Sequence, residues 1–425
     1  MTHINNLPRE ILLHIFSYYL KTETQLSFIG IISKVCKYWE EVCRDSSLWH
    51  TFDGTLSFRE LITCCKKGSL KNTELLIFSR IKALKKQNEP VKNASSLKSS
   101  QLQLIYKNLP RLKCINFSNV VEEIGKEKWI FFSELFNHCP HLREIIFLET
   151  HLLNPPKFPF RNLFENFLKI RGSNLISLDF SNLTITTLRE LCITVASSCP
   201  NLECLKAQNL HGGNLSFPIQ YMQKGLKKLK ILRLGHPVWL QSCSSVTTSG
   251  FPSLDTFTHP SKNDCILGDL HFQKLLMEST DLKVLDIRGC VLLTSAALCS
   301  LPANNLERLY VSNTKLYELH EFAEVLKKWG HSLIALDVSK MKGNCINNLF
   351  KSLISLGCLQ NLESLELNNT QVSPSTVKVI IHNCPKLNFL QLESCRSFGR
   401  GRKRAYHGLA EIKQLLSVED EMEVT

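Results

Sequence analysis

One short phrase, repeated along most of the chain, decides what it can fold into: a leucine, an apolar residue three positions on, and another two after that. The instances begin at Leu112 (LKCINFSN), Leu142 (LREIIFLE), Leu175 (LISLDFSN), Leu202 (LECLKAQN), Leu229 (LKILRLGH), Leu254 (LDTFTHPS), Leu282 (LKVLDIRG), Leu306 (LERLYVSN), Leu333 (LIALDVSK), Leu362 (LESLELNN) and Leu387 (LNFLQLES), with successive starts 24 to 33 residues apart. The apolar fourth and sixth positions alternate as in a short strand, so the third, fifth and seventh point to the opposite face. Between these phrases, stretches such as TTLRELCITVASSC and PSTVKVIIHNC return to helical spacing. One strand and one helix cannot bury their apolar faces alone, so neighbouring units must stack. The expectation over residues 105–398 is an α/β solenoid of about eleven units, with a parallel sheet on the concave side and helices on the convex side.

Details between the repeats agree. Asn119, Asn182, Asn209, Asn313 and Asn369 follow the strand, where a side-chain amide can satisfy backbone groups freed at the turn; Cys290 and Cys395 hold a related place. HCPHL, CPNL and HNCPKL set Cys139, Cys199 and Cys384 before a proline that ends the helix and aims the chain into the next strand. The pattern resembles the cysteine-containing type of leucine-rich repeat, which implies a horseshoe.

Residues 5–52 read as a separate, small all-α module. Leu7 and Pro8 open a helix whose Ile11, Leu12, Ile15 and Phe16 recur at helical spacing; a second apolar helix ends in Val35, Cys36 and Trp39, and Leu48 and Trp49 close the module. A unit of this size buries little surface, and large apolar residues in excess of its core would suit a partner. LPREILLHIFSYYL, SKVCKYWEEV and DSSLW resemble the F-box, with departures at Tyr19, which reads as a one-residue insertion, and at KTETQLSFIG, which lacks the usual Asp-Leu. F-box followed by repeats resembles the family of substrate receptors in SCF-type cullin-RING ubiquitin ligases. That resemblance implies a Skp-type adaptor bound by the F-box and, through it, a cullin and a RING protein. It also implies no catalytic residue, no metal and no cofactor in this chain, and a target protein held by the repeats. By the family's pattern the adaptor-facing residues include Leu7, Pro8, Ile11, Leu12, Ile15, Val35, Cys36, Trp39 and Trp49; the competing reading is that half of them fill the module's own core.

Outside these modules, residues 53–104 are expected to form a helical cap with a polar loop, and residues 399–425 a basic then acidic tail with a short helix. The tail packs Arg396, Arg400, Arg402, Lys403 and Arg404 together, either as a nuclear-import signal, as an RNA contact, or as a solvated loop.

Local signatures of catalysis are absent. His138 and His141 have His-x-x-His spacing, but the repeat itself accounts for HCPHL; Cys64 and Cys65 lie in an apolar pattern as small hydrophobes. Seventeen cysteines would imply disulfides in a small secreted domain, yet the start MTHINNLPRE lacks a signal-peptide pattern, so reduced thiols and a place in the cytoplasm or nucleus are expected. No apolar run reaches the ~18 to 20 residues that cross a bilayer. A formal charge of +13 favours acidic partners, nucleic acid among them, although interleaved aromatics for nucleic acid are missing.

The concave positions should be the target site, with Lys206, Arg233, Arg288, Arg308 and Tyr310 centrally beside Asp179 and Asp286, and Asp337, Glu366, Phe389, Gln391 and Glu393 later. Arg233, Arg288 and Arg308 could hold an acidic or phosphorylated segment; alternatively each charge pairs with a neighbour on the ladder. An interaction scaffold acting without a cullin is the alternative function.

Overall fold

The computed structural model describes residues 7–22, 25, 28, 31–53, 58–77, 104–105, 107–116, 138–146, 160–241, 250–261, 267–316, 319–341, 345–398 and 403–420. It divides into two compact units, Met1–Thr184 with Ser197–Leu202, and Ile185–Ala196 with Glu203–Thr425.

In the first unit, Pro8 opens helix α1 (Arg9–Thr22), its carbonyl accepting from the backbone N–H groups of Ile11 and Leu12 at 3.1 Å. A 3-10 turn at Ile32–Lys34 leads into α2 (Lys37–Cys43). Leu12, Phe16, Phe28, Trp39, Val42 and Trp49 are buried. Their rings meet edge-on: Phe16 lies 5.5 Å from Phe28 and 5.2 Å from Trp39, and Phe28 lies 6.0 Å from Trp49. Edge-to-face pairs of this kind add about 0.5–1.5 kcal/mol each beyond the area they bury. Tyr19 is accommodated within the continuous α1, half-buried, with its ring 6.0 Å from Phe28.

The aromatic chain does not stop at the module's edge. Trp49 lies 6.0 Å from Phe52, the buried centre of strand β1 (Thr51–Asp53). After α3 (Phe58–Lys66), β1 pairs in parallel with β2 (Leu75–Ile77), which pairs with β3 (Cys114–Asn116), then β4 (Glu144–Ile146) and, beyond α4 (Phe160–Arg171), β5 (Ser177–Asp179). The ladder therefore begins at Thr51, inside the stretch expected to be all-helical. Residues 53–104 contribute a strand as well as the helix, and their polar run lies outside the described residues. Phe52 and Leu76 play the part of the repeat's fourth position without a leucine three residues earlier, which is why the phrase does not reveal them.

In the second unit, β6 (Thr184–Thr187, all but its first residue) pairs with β8 (His211–Asn214). α5 (Leu188–Ser198, all but its last two residues) precedes β7 (Cys204–Ala207). β9 (Ser216–Pro218) and α6 (Ile219–Gly225) precede β10 (Ile231–Leu234) and β11 (Trp239–Gln241), and β11 pairs with β9. The main ladder runs β7, β10, β12 (Thr256–Thr258), β13 (Val284–Asp286), β14 (Arg308–Tyr310), β15 (Ala335–Asp337), β16 (Ser364–Glu366) and β17 (Phe389–Gln391), all parallel. Helices α7 (Asp269–Leu276), α8 (Ser295–Cys299), α9 (Leu319–Trp329), α10 (Cys345–Ser355) and α11 (Pro374–Asn383) alternate with the later strands. The ladder is closed by β18 (Ala405–His407), antiparallel to β17, followed by α12 (Gly408–Asp420). The closing strand is a correction to the loop expected there. From β12 to β17 the described strands and helices of the second unit have the alternation of a leucine-rich-repeat solenoid.

The phrase predicts burial accurately. Every first-position leucine from Leu112 to Leu387, and every fourth-position residue from Ile115 to Leu390, is buried. At about 25 cal/mol per Å² of apolar surface, each such side chain contributes roughly 1.5–3 kcal/mol. The cysteine–proline phrases behave as expected: Cys139, Cys199 and Cys384 are buried, and their carbonyls accept from the N–H of Leu142, Leu202 and Leu387 at 3.0–3.3 Å. Burial pushes all three thiols up to about 12. Cys290 and Cys395 reach back to the preceding turn, their Sγ atoms donating to the carbonyls of His259 (3.2 Å) and Leu367 (3.1 Å).

Candidate functional site

Two surfaces present side chains that the core does not use, one in each unit. The first is on α1. Ile11, Ile15 and Tyr18 follow one another at i, i+4 and i+7, which places them on one stripe of the helix. They are 48%, 42% and 68% exposed. Pro8 is exposed one turn before them, and Ile31 and Val35 are exposed on either side of the 3-10 turn. Leu7 is half-buried, and its carbonyl accepts from the Tyr38 hydroxyl at 3.3 Å.

This partition revises the adaptor-facing set. Leu12, Trp39 and Trp49 face the module's own core; the Trp49 indole donates to the Cys43 carbonyl at 2.8 Å. Cys36 is half-buried and caps α2, its Sγ accepting from the Trp39 N–H at 3.5 Å. Pro8, Ile11, Ile15 and Val35 remain exposed, joined by Tyr18 and Ile31. Helical period alone could have found Tyr18, but it could not tell which face of a three-element module is inside. An ion pair between Arg9 and Asp45 at 2.6 Å ties the start of α1 to the turn after α2.

The second surface is the non-core face of the second unit's ladder. Register sets the fifth positions side by side in the order Lys206, Arg233, Thr258, Asp286, Tyr310, Asp337, Glu366 and Gln391. The row thus passes from basic to acidic along the sheet. Arg233 and Arg308 are exposed, Lys206 and Tyr310 half-buried. Phe389 is half-buried, with its ring 5.0 Å from the His407 ring on the closing strand.

Arg288 does not stand ready for an acidic ligand. Its Nε donates to Asp286 Oδ1 at 2.9 Å and its Nη2 to Asp286 Oδ2 at 2.7 Å, while the guanidinium lies 5.5 Å from the Tyr310 ring centre. The bond to Asp286 raises the guanidinium's pKa further, and Asp337 and Glu366 add to it. The proposed triad of Arg233, Arg288 and Arg308 is therefore reduced to two open guanidinium groups. Asp179, Asp286 and Asp337 are buried, and each caps the turn after its strand by accepting from the N–H two residues on, at 2.9, 3.3 and 2.9 Å. The fifth-position aspartates belong to the repeat before they belong to any ligand.

Burial pushes the Glu366 carboxyl above its ordinary value, Asp337 pushes it further, and Arg288 only partly offsets them. A raised carboxylate binds its proton more tightly in the folded chain, so stability falls as pH rises from the ordinary value of 4.5 through the folded one. Glu366→Gln should accordingly melt at a higher temperature than the unsubstituted chain at pH 7. The difference should close below the ordinary carboxylate range, as read by melting curves across pH.

The other candidates resolve structurally. His138 and His141 are exposed on either side of the buried Cys139. Cys64 and Cys65 are buried, and burial pushes the Cys65 thiol up to about 12, away from the thiolate that reactivity needs. In the tail, Lys403 pairs with Glu411 at 2.6 Å and Arg404 with Glu393 at 3.5 Å; Arg400 and Arg402 lie outside the described residues. Among the described residues, no helix is long and apolar enough to cross a membrane.

Residues 4–55 match the F-box-like family. The match covers the module that carries the exposed α1 stripe. No curated protein matches the chain. Among solved structures, the complex of Rad7 and Elc1 from yeast is similar in fold at 16% identity, over 92% of this chain and 91% of that one, with a TM-score of 0.51. An internalin from Listeria monocytogenes aligns at 16% identity over 78% and 81% of the two chains, TM-score 0.40. A Bacteroides fragilis protein aligns at 12% identity over 62% and 78%, TM-score 0.41.

Proposed function

We propose that this chain is a non-catalytic substrate receptor of an SCF-type cullin-RING ubiquitin ligase. The F-box binds a Skp-type adaptor and, through it, a cullin and a RING protein, and the repeats hold a target protein for ubiquitination and proteasomal degradation. The observation that carries this reading is the α1 stripe. A small F-box-like module already has a filled aromatic core, yet it exposes Ile11, Ile15 and Tyr18 on one side of a helix. Surplus apolar surface of this kind is what an obligate partner would cover.

In this role the chain performs no chemistry. It raises the effective concentration of target lysines near a ubiquitin-loaded enzyme held by other subunits, which accelerates transfer through proximity alone. The ligase works in the cytoplasm or nucleus.

Purified full-length chain mixed with a Skp-type adaptor should elute with it as one complex on size exclusion. Copurification from cells should bring the adaptor and a cullin. Absence of both from both experiments would leave an interaction scaffold in place of a ligase subunit.

A further inference from the structure

The turns that lead into β2, β3 and β4 give the first unit a rim of exposed positive charge. We propose that this rim, made by Lys71, Arg111, Lys113 and Arg143, docks a carboxylate-rich segment of a partner protein. The inference rests on the repeats being the part that holds another protein, and it adds a contact at the strand starts to the one on the sheet face.

The backbone builds the rim. The N–H of Lys113 donates to the Glu74 carbonyl and the N–H of Arg143 to the Lys113 carbonyl, both at 2.8 Å. Glu74, Lys113 and Arg143 therefore stand side by side at the starts of β2, β3 and β4. Arg111 and Lys113 are exposed on either side of the buried Leu112, and Lys71 is exposed in the turn before Glu74. Four cationic side chains thus meet one carboxylate. The next carboxylate along the chain, Glu144, is engaged by the Cys114 thiol on the neighbouring strand.

Three observations point to a carboxylate as the ligand. First, the rim already holds one. Lys113 Nζ lies 2.8 Å from Glu74 Oε1, and this bond, with Arg111 adding to it, keeps the Glu74 carboxyl below its ordinary value. Second, the guanidinium groups of Arg111 and Arg143 are exposed and make no hydrogen bond or ion pair among the described residues. A guanidinium fork matches a carboxylate with two parallel N–H bonds. Third, the second unit treats the same positions differently. Backbone bonds there set Glu203, Lys230, Asp255, Lys283 and Glu307 in a row of alternating sign. Neighbours neutralise one another, Lys230 with Glu203 at 2.9 Å and Lys283 with Glu307 at 3.4 Å. Charge that only keeps a rim in water can balance itself in this way, whereas the first unit's excess draws its counter-charge from outside. Nucleic acid is the other polyanion, but residues 70–74, 107–113 and 138–143 contain no Phe, Tyr or Trp on which a base could stack.

The test is fluorescence anisotropy of the full-length chain with a labelled peptide of alternating glutamate and serine. The same peptide with glutamine for glutamate, and a labelled DNA duplex, are the comparators. Arg111→Glu, Arg143→Glu removes the open guanidinium groups. Lys315→Glu, Lys351→Glu makes the same change of net charge on exposed lysines of the second unit. All four side chains are exposed, so both variants should fold; melting curves check this, and Arg111→Gln, Arg143→Gln replaces the reversal if it does not. The glutamate peptide should bind the unsubstituted chain better than the glutamine peptide does. Its affinity should fall about tenfold or more on the arginine variant and stay within about twofold on the lysine variant, as loss of local charge-assisted bonds implies. Equal loss on both variants would reduce the rim to net charge. A duplex that binds more tightly than the peptide and is lost with the arginine variant would assign the rim to nucleic acid. Either result, or absence of peptide binding, overturns the proposal. Adaptor elution measured on the same preparations separates the two failures: loss of the adaptor with peptide binding retained would remove the ligase reading and leave this one standing.

Discussion

An aspartate at position 15 should strip the adaptor from the chain while leaving the fold intact. Ile15 is 42% exposed in the middle of α1, with Ile11 one turn before it on the same stripe. Free in solution, the new carboxylate stays in water and costs little beyond helix propensity, about 0.5 kcal/mol. Under an apolar partner it would be buried unpaired, and the several kcal/mol that this costs amounts to a loss of affinity of about a hundredfold or more. Size exclusion with the adaptor and a melting curve on the same sample read the two quantities. Leu12→Ala provides the contrast. Leu12 is three residues away in the same helix but fully buried, so its truncation should cost about 2–5 kcal/mol of stability, and any loss of adaptor should follow from unfolding. Adaptor binding that survives Ile15→Asp would sink the assignment of this stripe.

The same pair of residues shows where sequence reading reaches and where it stops. Spacing places Leu12 and Ile15 in one helix, yet nothing in that spacing says which is buried and which is open. The repeat region was more legible because each leucine phrase states its own inward face, and the burial of Leu285, Leu309, Leu336 and Leu365 follows from it directly. Phe52 and Leu76 escaped because their strands lack the leading leucine, and Ala405–His407 because a single antiparallel strand has no repeat to betray it. On the sheet face, residue type was readable but state was not. Arg288 reads as an available cation until the structure shows Asp286, two residues earlier, holding its guanidinium with both oxygens. The post-strand asparagines also serve the backbone in a way that the side-chain amide does not explain. Asn182, Asn209, Asn313 and Asn369 have φ between 51° and 61°, the left-handed region that asparagine tolerates better than most residues. Asn119 lies outside the described residues.

That eighth position supplies the second large effect, Gly289→Ala. Gly289 is the repeat's glycine at this place, with φ +75°, where the neighbouring units carry Asn313, Lys340, Asn369 and Ser394 with φ of 56–63°. A left-handed alanine by itself costs about 1–2 kcal/mol. At Gly289 an added Cβ would also run into the Ser261 carbonyl, which belongs to backbone and not to a side chain that could swing away. Ser261 is held in place by its own N–H donating to the Arg288 carbonyl at 2.7 Å, and Gly289 by donating to the Ser312 carbonyl at 2.9 Å. Relieving the clash must stretch the ladder between adjacent units, for which overpacking costs suggest about 1–3 kcal/mol more. Gly289→Ala should therefore lower stability by about 2–5 kcal/mol in urea unfolding of the full chain, whereas Asn369→Gly should stay within about 0.5 kcal/mol, because glycine takes the same φ without strain. An equal, small effect at both sites would mean that the turn after β13 relaxes freely, and that the rigid packing between successive units argued from these glycine and asparagine positions is wrong.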